Sequence, residues 1–174
     1  MPGDSFFTRH IRFFTSSIAA VIFAVLLFLP IFKGVTITDY KTGRLLYYHD
    51  AAPGDLFSVH YIHSVNKSPV EDFFVISSNN ELILEKTVFK SFGAGVPASS
   101  DDGGELKVYN DRIEVTGINR RIDNFLLFVG VTADHRFKIA KDEFYLRSIS
   151  LPQRNLVIRV DRISLVSLIK LRQL

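Results

Sequence analysis

Hydrophobic and polar positions divide the chain into two parts with different periods. From Phe13 to Phe32 the run FFTSSIAAVIFAVLLFLPIF carries no charge. Its roughly twenty residues match a hydrocarbon core about 30 Å thick at about 1.5 Å per helical residue. A helix is the only open-chain way to satisfy the backbone in such a core. Arg9 and Arg12 precede the run and only Lys33 follows it closely. This asymmetry predicts residues 1–12 in the cytoplasm, a single-pass anchor over 13–32, and residues 34–174 beyond the cytoplasmic membrane, in the periplasm or at the cell exterior. A cleaved signal peptide is the competing reading. The apolar run is longer than a usual h-region and no A-x-A-like site follows Phe32, so an uncleaved anchor is favoured.

After Gly34 the pattern changes to short alternating or apolar runs separated by turn residues, the signature of strands. The runs are VTITD (35–39), RLLYY (44–48), DLFSVHYI (55–62), EDFFVIS (71–77), ELILEKTVFK (81–90), ELKVY (105–109), RIEVT (112–116), FLLFVGVT (125–132), RFKIA (136–140) and FYLRSI (144–149). Asn110-Asp111 is a two-residue link of the kind hairpins favour. About ten strands at this spacing predict a mainly β domain, an antiparallel β-sandwich or a partly closed β-barrel, preceded by one N-terminal transmembrane helix. The C-terminal VIRVDRISLVSLIKLRQL fits one face of a strand through Ile163, Leu165, Ile169 and Leu171. It also suits a short amphipathic helix through Leu165, Leu168, Ile169 and Leu171, and a final core strand is the favoured reading.

Composition narrows the classes. The 174 residues are 47% hydrophobic with 16 Phe, richer in apolar residues than a soluble domain of this size needs. With no Cys, disulfides and thiolate zinc sites are excluded. A net charge of +3, dispersed along the chain, gives no footprint for nucleic acid.

Candidate chemistry concentrates in SVHYIHSVNKSPVEDFF (58–74). His60 and His63 lie three apart, so on a regular strand they face opposite sides and do not chelate a metal together. His63-Ser64 as base and nucleophile meets the same objection, and no G-x-S-x-G elbow accompanies the serine. The pattern instead predicts a strand–turn–strand. Ser64 and Asn66 would bond to the backbone at NKSP, Pro69 would help stop the first strand, and His63 would face Glu71 across the turn. Asn66-Lys67-Ser68 matches a glycosylation acceptor by chance.

The second unusual segment is KSFGAGVPASSDDGGE (90–105). Gly93, Gly95 and Pro97 after a strand permit close backbone approach, to a ligand or to another strand. The spacing is not that of a phosphate loop. Asp101, Asp102 and Glu105 are hard oxygen ligands, though a solvated loop is the favoured reading. His49 and His135 read singly as surface or satisfied residues. No catalytic residue, metal ligand or cofactor is assigned.

YIHSVNKSPVEDFF (61–74) and FGAGVP (92–97) together resemble a small bacterial membrane-anchored family of unknown function encoded beside TAXI-type TRAP transporters. The matching positions are His63, Ser64, Val65, Pro69, Val70 and Glu71, then Gly93, Ala94, Gly95 and Pro97. Some relatives carry a methionine and more acidic residues after the glycine motif, where Val96-Pro97-Ala98 stands in this chain. The resemblance implies a non-enzymatic accessory subunit whose partners are the transporter's permease or its solute-binding protein, with Thr15, Ser16, Ser17, Ala19 and Ala20 offering small residues for helix contacts. The alternative is an extracytoplasmic module that binds a small molecule or divalent cation through His63, Ser64, Glu71 and the Gly93, Gly95, Pro97 loop. A hydrolase using His63, Ser64 and Glu71 ranks third.

Overall fold

A computed structural model of the protein describes residues 4–90 and 104–173, with the backbone alone for residues 4–9, 11 and 13. The chain forms two compact units, Lys33–Asp161 on the one hand and the segments before Lys33 and from Arg162 onward on the other.

Helix α1 spans Asp4–Phe28 and stops two residues short of Pro30, which has no N–H to continue the ladder. Strand β1 (Pro30–Asp39) begins at that proline. The uninterrupted 13–32 helix predicted from hydropathy is therefore corrected: its last residues belong to a strand. Among the described residues no helix is long and apolar enough to cross a membrane. At the other end of the chain the favoured strand reading is corrected from Leu165 onward: Ile163 lies in a strand, whereas Leu165, Leu168, Ile169 and Leu171 form the short helix of the alternative reading. Strand β11 (Asn155–Ser164) passes into helix α2 (Leu165–Leu171) at Ser164, whose hydroxyl accepts the Ser167 N–H at 3.2 Å.

The remaining strands are β2 (Leu45–Asp50), β3 (Leu56–Ile62), β4 (Pro69–Ile76), β5 (Leu82–Phe89), β6 (Glu105–Val108), β7 (Ile113–Ile122), β8 (Phe125–Phe128), β9 (Arg136–Ile139) and β10 (Asp142–Tyr145). They form a four-stranded sheet in the order β2-β1-β11-β8 and a seven-stranded sheet in the order β10-β9-β3-β4-β5-β7-β6. The sheets are separate, so the sandwich describes the fold and the partly closed barrel does not.

Three strand boundaries differ from the hydrophobic runs. Strand β7 continues past Thr116 because Gly117 (φ 68°) and Asn119 (φ 53°) adopt left-handed conformations while the pairing with β5 shifts between Leu84 and Lys86. A bulge absorbs the turn-like residues instead of ending the strand. Strand β8 ends at Phe128, and the Val129 backbone bonds to Arg154 and Gln153 outside the ladder. The predicted strand 144–149 turns into a 3-10 helix over Leu146–Ser148.

Aromatic rings join the sheets. Phe74 of β4 lies 4.9 Å from Phe125 of β8, and Tyr47 of β2 lies 4.8 Å from Phe144 of β10 and 5.7 Å from Phe137 of β9. Phe57 stacks on Phe74 at 4.8 Å. Each buried ring removes a large apolar area from water and adds offset or edge contacts, so these residues hold the two layers in register.

Candidate functional site: a polar hollow on the outer face of the seven-stranded sheet

Alternation along β3 separates two chemistries. Phe57 and Val59 are buried in the core, and side chains directly opposite one another across a sheet share a face. Val59 is paired with Phe137 of β9 and with Asp72 of β4, and Asp72 with Thr87 of β5, so these side chains lie on the core side. Ser58 and His60 point the other way. His60 pairs with Glu71 and Arg136, Ser58 pairs with Lys138, and Lys138 pairs with Glu143 of β10.

These outward residues enclose a hollow of ≈ 200 Å³ lined by Ser58, His60, Glu71, Arg136, Lys138 and Glu143. The buried Ser58 hydroxyl donates to Glu71 Oε1 at 2.8 Å. The Arg136 guanidinium donates through Nη1 to Glu143 at 2.9 Å and through Nη2 to the Tyr145 hydroxyl at 3.0 Å. Glu143 raises the Arg136 pKa further, mainly through that hydrogen bond, and keeps the group a fixed cation. Lys138 Nζ is 3.9 Å from Glu143, a loose and exposed ion pair. Two nitrogens in the wall, His60 Nδ1 and Arg136 Nε, are buried without a hydrogen-bond partner among the described residues. Each such group costs on the order of 1–3 kcal/mol when left unpaired.

The predicted turn residues go elsewhere. His63 N–H donates to Ser68 O at 2.9 Å, Lys67 N–H donates to His63 O at 2.9 Å, and Lys67 takes φ 50°. The His63 ring accepts the Val65 and Asn66 N–H groups at Nδ1, both at 3.3 Å. The histidine thus serves the turn in the way expected of Ser64 and Asn66, and Ser64 is exposed. Pro69 opens β4 instead of closing β3. The predicted facing of His63 and Glu71 is corrected by register: Glu71 stands opposite His60, and the first residue pair after the turn is Ile62 with Pro69. Gly93, Gly95, Pro97, Asp101 and Asp102 lie outside the described residues. Glu105 starts β6 and pairs with Lys107 at 3.1 Å.

Two further polar constellations escaped the sequence. On the core side Asp72 accepts the Thr87 hydroxyl at 2.7 Å. Burial pushes its carboxyl up to about 6, while hydrogen bonds from Thr87 and Tyr61 and the charge of Arg120 pull the other way. His135 lies 5.6 Å from the Tyr61 ring, and burial holds its pKa below the usual histidine value. Between the sheets, the Tyr47 hydroxyl donates to Asp142 Oδ2 at 2.5 Å and His49 Nδ1 stands 3.2 Å from the same oxygen. The Tyr47 hydroxyl holds Asp142 below the ordinary carboxylate range. Residues so far apart in the chain give no local signal. Among the described residues no group of three or more His, Cys, Asp or Glu is placed to hold a metal ion.

The family model of a domain of unknown function, DUF1850, matches residues 57–146. The chain belongs to this family. The DUF1850 match runs from the start of β3 to the end of β10 and contains all six residues of the hollow. It accounts for the motif resemblance at the level of a domain of unknown function. No curated protein and no solved structure matches the chain.

Proposed function

We propose that the chain is a non-enzymatic accessory subunit of a TAXI-type TRAP solute transporter. In this reading α1 tethers the protein to the cytoplasmic membrane, and the β domain meets the permease or the solute-binding protein on the non-cytoplasmic side. The observation that carries it is the division of labour on the seven-stranded sheet, whose inner face builds the core while its outer face displays Ser58, His60, Glu71, Arg136, Lys138 and Glu143 for recognition. A fold role for His63 is supported by its ring, which accepts the Val65 and Asn66 N–H groups within the turn. Tethering is supported by the exposed apolar side chains of α1, among them Phe14, Val21, Phe23 and Phe28, on a helix whose described C-terminal half is apolar on every side.

Affinity purification of the tagged full chain from native membranes in mild detergent tests the proposal. Recovery of a TRAP permease or solute-binding protein is expected, with less recovered by a chain carrying Lys138→Ser and Glu143→Ser. An intact, membrane-extracted chain that brings down no transporter component overturns it.

A further inference from the structure

We infer that the outer hollow is a binding site for a small zwitterion of the α-amino acid class. The inference stands on the hollow alone and does not require the transporter assignment. Formal charges in the wall cancel, with Arg136 and Lys138 against Glu71 and Glu143, so the hollow offers no net attraction to a ligand that carries a net charge. The charges are nevertheless separated in space. Glu71 stands on β4 at one side of β3, and Arg136 and Lys138 stand on β9 at the other. A guest lying across β3 meets a carboxylate at one end and cations at the other.

The hydrogen-bonding inventory gives the guest its orientation. Arg136 already commits Nη1 to Glu143 and Nη2 to Tyr145, which holds the guanidinium plane still and leaves the Nε–H as a donor without a partner among the described residues. The exposed Lys138 ammonium, only loosely paired with Glu143 at 3.9 Å, together with the fixed charge of Arg136 beside it, calls for a carboxylate. Glu71 accepts from Ser58 through one oxygen and calls for a cationic donor such as an ammonium. His60 stands on β3 between Glu71 and Arg136 and forms the floor over which the guest lies. A hollow of ≈ 200 Å³ suits a compact molecule and not a peptide.

Calorimetric titration of the full chain in detergent micelles with L-alanine, glycine, acetate and methylamine tests the site. Saturable binding of L-alanine and glycine is expected, with acetate and methylamine, each carrying one of the two charges, weaker by at least about tenfold. Arg136→Lys and Glu71→Gln should each weaken L-alanine by about tenfold or more with the circular dichroism spectrum unchanged. Should either variant misfold, the exposed Lys138→Gln provides the same comparison, and the ligand series itself needs no variant. Absence of saturation by L-alanine and glycine in folded protein overturns the inference. Acetate binding as tightly as L-alanine overturns it as well, because a plain anion site would then be present. A failed purification of transporter partners leaves these titrations unaffected, so the two proposals fail separately.

Discussion

The two faces of β3 differ by one residue of phase and by everything that phase implies. Phe57 and Val59 are at most 2% exposed and belong to the apolar core, where Phe57 meets the rings of Phe74 and Phe137, whereas Ser58 and His60, their immediate neighbours, line a charged hollow. The inner face contributes through area removed from water, which is non-directional and additive over many contacts. The outer face contributes little to stability, because its exposed ion pairs are screened and its buried donors are partly unpaired. The comparison teaches that a strand can be essential on one side and available on the other.

The strongest way to break the inner face is Phe74→Ala, which removes a ring in contact with Phe57 and Phe125. A loss of about 3–5 kcal/mol is expected in urea unfolding, since the cavity left between two sheets cannot fully collapse. A change below about 1 kcal/mol would mean that the rings do not join the layers.

Asp72 sharpens the comparison because it is a carboxyl on the apolar side. Its folded-state value of about 6 lies above the 3.8 of the free carboxyl, so the folded protein holds the proton more tightly than the unfolded chain. For this group stability is therefore greatest below pH 3.8 and declines as pH rises toward 6, then levels off. The decline amounts to at most about 3 kcal/mol. Asp72→Asn should flatten the difference between pH 4 and pH 6.5 in urea midpoints. A variant with the wild-type slope would show that another group titrates there.

His63→Ala tests the turn beside the hollow. Removal of the ring that accepts the Val65 and Asn66 N–H groups is expected to cost about 1 kcal/mol. L-alanine binding should be unchanged, in contrast to substitutions at Glu71 or Arg136. Loss of binding without loss of stability would move His63 into the site. The smallest effect is expected for Lys138→Gln on stability: its contact with Glu143 spans 3.9 Å between exposed groups, so the urea midpoint should not move measurably.

Much of this architecture was legible along the chain. Alternation in DLFSVHYI and EDFFVIS marks both strands of the central hairpin, and the glycine and asparagine turns mark most of the connections. Where the reading slipped, a local rule was overridden. Gly117 looks like an end and is a bulge within β7, because Asn119 also accepts a positive φ and the strand regains its pairing with β5. Pro30 looks like part of an apolar helix, yet its ring closes α1 and begins β1. His63 looks like the partner of Glu71, but the six-residue connection from His63 to Ser68 places His60 there.

The candidate site shows the same limit. Ser58, His60 and Glu71 lie in one conspicuous stretch, and their shared outward face follows once the hairpin register is known. Arg136, Lys138 and Glu143 come from a later hairpin with no motif of its own, and only the pairing of β9 with β3 brings them to the same place. The periodicity of side chains is a property of the sequence, so the amino-acid order by itself determined a mainly β domain, its strands and which residues alternate. Which strands become neighbours, and in which register, is decided by how two sheets bury their aromatic rings against each other. That tertiary choice sets His60, not His63, opposite Glu71 and brings both into one hollow.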